Sequence, residues 1–181
     1  MTTLLSKDKL KYLIQMLRFT RHIPGSIIEV GVYQGGTLLR IATESESWGK
    51  TVIGYDTFKG LPAPESIDVL NKGEFSSDPD KILAEFKQHE LPVTLVGGLF
   101  PDSAIDMSLS FCHLDVDLYR STLDSLRYIS KMLSPGGLVV VDDYDFSKCP
   151  GVKPAVEEIL ASDPSLTKLD ERQWQITLVK K

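Results

Sequence analysis

With 181 residues, 42% of them hydrophobic, the chain can fill the core of one α/β domain and is short for two. Twenty basic against 25 acidic side chains leave a formal charge of −5 and no basic stripe, which argues against a nucleic-acid partner, since affinity for a phosphate backbone rests on clustered cations. No apolar run approaches the ~18–20 residues that span a bilayer, the N-terminus has no apolar signal-type core, and Cys112 and Cys149 are too few for a disulfide framework, so a soluble, cytoplasmic protein without a membrane partner is expected.

Leu10, Leu13, Ile14 and Leu17 keep helical spacing and predict an amphipathic helix over 7–18 that covers the core. After Pro24-Gly25, Ser26–Val30 reads as a first strand, followed by the loop Gly31-Val-Tyr-Gln-Gly-Gly36 and a helix through Thr37–Ala42. Strand, glycine loop and helix bring backbone amides to a polar ligand, although glycines also serve plain tight turns. The spacing G-x-x-x-G-G departs from the dinucleotide fingerprint and gives little support to a nicotinamide cofactor. A second strand, Thr51–Tyr55, ends at Asp56, where an acid is placed to accept hydrogen bonds from the ribose of an adenosine-containing cofactor.

Residues 58–80 lack periodicity and carry several prolines and glycines. Such a stretch is an active-site lid or a disordered insertion, and its departure from the cofactor strand end favours the lid. Ile82, Leu83 and Phe86 predict a helix and Val93–Val96 a third strand, closed by a loop from Gly97-Gly98 to Ser103. Phe100 in that loop either flanks a purine ring or is an ordinary core aromatic.

Two later stretches carry the chemistry. Phe111–Tyr119 reads as a buried strand with Asp115 and Asp117 at its carboxyl end, on one face because strand side chains alternate. Gly136–Val141 leads in the same way into Asp142 and Asp143. If the two strands are neighbours in an open parallel sheet, four carboxylates open onto one crevice, and a hard cation such as Mg²⁺ is the simplest relief of their repulsion. Capping or turn preferences of Asp account for any one of these acids better than for two doubled pairs. His113, four residues before Asp117 and roughly 13 Å back along a strand, reads as a hydrogen-bonded core histidine away from the crevice. A helix over Arg120–Ser134, another from Val152 to Leu160 and a hairpin of 166–169 with 174–179 complete the chain. Strands alternating with helices predict one doubly wound, mostly parallel α/β sheet with an antiparallel edge strand at its end.

The motifs Glu29-Val-Gly-Val-Tyr-Gln-Gly-Gly36, Asp56-Thr-Phe-Lys-Gly-Leu-Pro62, His113-Leu-Asp-Val-Asp-Leu-Tyr119 and Pro135-Gly-Gly with Asp142-Asp-Tyr144 together resemble the macrocin O-methyltransferase family, over about residues 25–160. The resemblance implies a Rossmann-like, seven-stranded class I methyltransferase fold, S-adenosylmethionine as methyl donor and a bound Mg²⁺. Position by position it implies Glu29, Gly31, Gly36 and Thr37 as cofactor-loop residues, with Gly98 added from the loop after the third strand, and Asp56 as the ribose acid. It further implies Asp115, Asp142 and Asp143 as metal ligands and Asp117 as general base. Family members of antibiotic tailoring carry a longer segment before the first strand that builds substrate lid and subunit contacts, which leaves the acceptor and a homo-oligomer open. The expected activity is Mg²⁺-dependent methyl transfer to a hydroxyl of a sugar or similar small-molecule diol. The alternatives are a nicotinamide-dependent dehydrogenase on a related fold and a non-catalytic module that binds cofactor only.

Overall fold

The computed structural model describes residues 1–181. The elements are α1 (Lys7–Phe19), β1 (Ser26–Val30), α2 (Gly36–Ser45), β2 (Val52–Asp56), α3 (Pro79–Gln88), β3 (Val93–Gly97), β4 (Leu109–Leu114), α4 (Tyr119–Met132), β5 (Leu133–Val141), α5 (Val152–Ser162), β6 (Leu166–Arg172) and β7 (Gln175–Lys180). They build a seven-stranded sheet in the order β3-β2-β1-β4-β5-β7-β6. From β3 to β5 all neighbours are parallel, while β7 runs antiparallel to both β5 and β6. The antiparallel strand is last in the chain but not outermost: it inserts between β5 and β6. The edge falls to β6, whose Lys168, Asp170, Glu171 and Arg172 discourage pairing with another chain.

Alternation along the strands divides the core between the two faces. Ile27, Val52, Phe111, Leu138 and Val140 pack with residues of α1, α2 and α3, and Ile28, Ile53, Tyr55, Cys112 and Val139 with residues of α4 and α5. All six residues of β4 are buried, as expected for a central strand covered on both sides. Strand order reverses between β1 and β4, so their carboxyl ends flank the crevice where a doubly wound sheet receives its ligand.

Three local outcomes differ from the sequence expectation. The buried stripe of α1 is Lys9, Tyr12, Leu13, Met16 and Leu17, rotated from the expected one because Tyr12 shares a 2.7 Å hydrogen bond with Thr177 on β7. That rotation turns Lys9 inward. Strand β4 stops at Leu114 instead of running on to Tyr119, and its ladder closes with Asp115 N–H donating to Val30 O at 2.9 Å. The 58–80 segment has neither helix nor strand before α3, yet it is tied shut. Leu61 N–H donates to Glu74 O (2.8 Å), Gly73 N–H to Leu61 O (2.9 Å) and Ser77 N–H to Phe58 O (3.2 Å), bringing the loop's ends together. The Asp68 carboxylate accepts from Tyr119 N–H, the first residue of α4, at 2.9 Å.

Candidate active site

A cavity of about 490 Å³ opens at the carboxyl ends of β1, β2, β4 and β5. Its first half is built by the glycine loop. Gly31 has φ +92°, and a Cβ there would overlap the Asp115 carbonyl oxygen, so glycine lets the loop after β1 lie directly against the chain leaving β4. Asp56 braces that loop: Oδ2 accepts from Val32 N–H and Tyr33 N–H, and Oδ1 from Phe58 N–H, each at 2.8 Å. Gly98 and Phe100 line the same space. Phe100 is a core aromatic, buried edge-on between Tyr55 (5.1 Å) and Tyr128 (5.5 Å), and also forms cavity wall.

Of the six residues expected at the cofactor, Gly31, Asp56 and Gly98 line the cavity, whereas Glu29, Gly36 and Thr37 do not. Glu29 lies inside β1, 1% exposed, with Oε1 2.8 Å from His113 Nδ1. Gly36 and Thr37 open α2, but the N-terminal segment covers them: Thr3 Oγ1 is 2.6 Å from Thr37 Oγ1, and a side chain on Gly36 would strike the Thr2–Thr3 backbone.

The second half is acidic. Leu114 of β4 is in register with Val141 of β5, and Asp142 N–H donates to Leu114 O at 2.9 Å, which sets Asp115 and Asp142 abreast. Asp117 and Asp143 follow in left-handed backbone, φ 60° and 56°, a conformation Asp tolerates better than most residues. The acids therefore converge through the parallel pairing of β4 with β5 and the turn beyond each, not through alternation along one long strand. They fall into two groups. Ligand atoms of His113, Asp115 and Asp142 lie within 4.8 Å of one another, as do those of Asp117, Asp143 and Cys149. Asp143, expected beside Asp115 and Asp142, thus stands in the second group. One ammonium joins the two: Lys9 Nζ donates to Asp143 Oδ1 at 2.9 Å and lies 2.8 Å from Asp142 Oδ1, the latter an ion pair without hydrogen-bond alignment.

His113 is fully buried and hydrogen-bonded, as read from the sequence, but it is not remote. Because β4 ends at Leu114, His113 is next to Asp115 and Asp142, with its Nδ1 paired to Glu29.

Burial, followed by the charge of Asp142, holds the Asp115 carboxyl well above the usual range. Burial and the neighbouring Asp143 raise Asp117 to about 7. Burial and Asp143 also raise Asp142, against the opposing pull of His113 and Lys9. Burial works to lower the pKa of Lys9, but pairing with Asp142 and Asp143 outweighs it and the net shift is upward. Cys149 Sγ lies 3.4 Å from Asp117 Oδ1 and from Asp143 Oδ2, and burial together with those carboxylates pushes its thiol up, so it remains a protonated donor.

This donor set suits a hard cation: oxygen-rich, crowded with like charge and incompletely satisfied, since Glu29 Oε2 and His113 Nε2 are buried without hydrogen-bond partners and Asp142 Oδ1 has only its ion pair with Lys9. Lys9 and Cys149 escaped the sequence reading, and His113 was set there away from the crevice. His113 is two residues before Asp115 in an H-x-D pattern, and Lys9 lies four and eight residues before Leu13 and Leu17 on one helical stripe, so both had a periodic signal. Cys149 had none.

The model of the family described as "Macrocin-O-methyltransferase (TylF)" matches residues 2–165. Over 160 residues, 78% of this chain and 61% of the relative, the chain is 29% identical to the 8-demethyl-8-(2,3-dimethoxy-alpha-L-rhamnosyl)-tetracenomycin-C 4'-O-methyltransferase of Streptomyces olivaceus. It is 31% identical to the demethyldecarbamoylnovobiocin O-methyltransferase of Streptomyces niveus over 159 residues, 77% of this chain and 60% of that one. The chain thus spans about three fifths of the length of these curated relatives. The solved structure of the O-methyltransferase NovP shares the fold, with a TM-score of 0.82 at 24% identity over 98% of this chain and 81% of that chain. No helix is long and apolar enough to cross a membrane.

Proposed function

The chain belongs to the macrocin O-methyltransferase family, and from that premise we propose that it moves the methyl group of S-adenosylmethionine to a hydroxyl of a sugar or similar small-molecule diol in a Mg²⁺-dependent reaction. One observation carries the reading: the glycine loop with its bracing acid and the acids that follow β4 and β5 face a single cavity. The sugar acceptor is supported by the first relative's name, which specifies a rhamnosyl-bearing compound.

In this reading Gly31 and Gly98 allow the cofactor to lie close to the backbone, and Asp56 accepts from its ribose hydroxyls with the lone pairs left beyond its three N–H partners. Glu29, Gly36 and Thr37 act through the loop, Glu29 by fixing His113 from beneath and the other two by docking the N-terminal segment. Asp115, Asp142 and Asp143 would hold Mg²⁺, Asp142 and Asp143 being the pair that Lys9 spans, with His113, held by Glu29, beside the first two. Bound there, the ion supplies Lewis-acid stabilisation of the charge developing on the acceptor oxygen. Asp117 receives the hydroxyl proton as the oxygen forms its bond to the methyl carbon and the carbon–sulfur bond breaks. A pKa near 7 suits that carboxylate to accept a proton at neutral pH. The 58–80 loop contributes Leu61, Pro62 and Phe75 to the cavity wall, where it limits water around the reacting atoms.

The reading is tested by a labelled-methyl transfer screen over sugars, glycosides and catechols, with and without Mg²⁺. Label on a sugar hydroxyl that disappears with chelator is the expected result; label on no acceptor, or transfer indifferent to chelation, contradicts it. In parallel, S-adenosylhomocysteine should raise the melting temperature and NAD should not, since only a ligand of the native state stabilises it.

A further inference from the structure

A cation from the chain itself already stands among the acids. Lys9, in the first turn of α1 and 9% exposed, reaches with its ammonium between Asp142 and Asp143, two of the three carboxylates assigned to the metal. Above the same ammonium lie two aromatic rings, with the Phe146 centroid at 5.9 Å and the Trp174 centroid at 6.0 Å. These rings pack against each other at 5.2 Å and belong to the cavity wall, where Trp174 is 54% exposed. Helix α1 is held by Ser6, which caps it, and by the hydrogen bond from Tyr12 to Thr177, so the lysine head can swing on its flexible four-carbon stem while the helix stays in place.

We propose that Lys9 and Mg²⁺ exclude one another at Asp142 and Asp143, and that the ammonium displaced by the metal takes its seat on Phe146 and Trp174. This rests on the metal reading above. Mg²⁺ sits about 2.0–2.1 Å from its carboxylate oxygens and requires near-octahedral ligation. An ammonium 2.8 and 2.9 Å from those same Oδ1 atoms occupies the space that ligation needs, and repels the ion by charge. The rings offer an alternative, since the acid-paired ammonium already lies at the outer limit of cation–π range from both. Metal loading then resets the acceptor-side wall: Lys9 moves off the acids and onto the aromatic pair, so the wall adopts its loaded form only when the metal is present. Without metal, Lys9 neutralises part of a charge cluster that would otherwise destabilise the fold.

The sign of one measurement separates this from a structural role. If Lys9 merely positions the acids, its loss weakens Mg²⁺ binding; if it competes, its loss strengthens it. Calorimetric Mg²⁺ titration should show Lys9→Met, which keeps the aliphatic stem, binding about tenfold more tightly than wild type, and Lys9→Arg, which keeps the charge, binding no more tightly than wild type. In chelator, Lys9→Met should melt below wild type, and Mg²⁺ should restore it. With Trp48→Phe leaving Trp174 as the lone tryptophan, Mg²⁺ should shift its emission while Lys9 is intact and leave it unchanged in the Lys9→Met background. The intact-lysine arm of that experiment needs no Lys9 variant to fold. Wild type binding Mg²⁺ with Lys9→Met equal or weaker, or Trp174 emission unmoved by saturating Mg²⁺, overturns the proposal and leaves the metal reading standing. Failure of Mg²⁺ to bind either protein overturns both.

Discussion

At the β1–β2 end of the cavity, Asp56 engages both oxygens with three backbone N–H groups; at the β4–β5 end, Asp117, Asp142 and Asp143 share one ammonium and one thiol, and Asp115 reaches neither. The contrast separates two ways of preparing a site. A carboxylate satisfied by backbone donors is rigid before any ligand arrives, so the Asp56 end stands formed. Carboxylates buried against one another cost free energy until a cation joins them, and that cost is visible in the raised pKa values of Asp115, Asp117 and Asp142. The acid end is therefore the part of the molecule whose behaviour depends most on metal and proton.

The largest effect should come from Asp117→Asn. An amide cannot accept the proton, so turnover should fall about 10²–10⁴-fold with Mg²⁺ and cofactor affinity nearly unchanged. Excess Mg²⁺ should restore nothing. Rescue by metal, read in turnover at several Mg²⁺ concentrations, would make Asp117 a ligand and erase the distinction between base and metal acids.

Asp56→Ala probes the other end. Leaving the Val32, Tyr33 and Phe58 N–H groups without their acceptor should lower stability by about 2 kcal/mol in urea unfolding and remove the S-adenosylhomocysteine melting shift. Mg²⁺ affinity should stay within about twofold, because the substituted residue shares no partner with the metal acids. A large loss of Mg²⁺ affinity would show that the two ends are one coupled unit.

The smallest effect is on pH. The folded chain holds protons on Asp115, Asp117 and Asp142 that the unfolded chain has released, so this contribution to stability is present at low pH and lost as pH rises through the raised folded values, about 7 for Asp117. Chelated protein should gain a few degrees of melting temperature between about pH 8 and about pH 6. Saturating Mg²⁺ should flatten the dependence by favouring the ionised acids. Equal slopes with and without Mg²⁺ would disconnect the proton burden from the metal.

How much of this could be read from the chain alone follows the same division. A strand, the Gly31–Gly36 loop, a helix and Asp56 at the next strand end were legible because their signals are local, yet of the six residues read there Glu29, Gly36 and Thr37 lie off the cavity. Asp115, Asp117, Asp142 and Asp143 were legible as residues, because each pair closes an apolar run. Their arrangement was not, since it depends on β4 ending at Leu114 and on two left-handed aspartates, neither of which periodicity reports. Lys9 reaches Asp143 from α1 across 134 positions of sequence and Cys149 reaches Asp117 across 32, so no short window contains either contact; Cys149 is only six residues from Asp143, but no periodicity marks that turn contact. The place of β7 inside β6 was likewise hidden, because a hairpin signal fixes pairing within the hairpin and not which strand of it joins the sheet.

The central claim is that the acid end is a cation site in which Asp142 is a ligand. Calorimetric titration of metal-free protein with Mg²⁺, in wild type and Asp142→Asn, tests it most directly. One Mg²⁺ per chain in wild type, with affinity at least about tenfold weaker in Asp142→Asn because an amide oxygen coordinates with less charge, is the predicted result. No binding heat in wild type, or equal affinity in the two proteins, would contradict it.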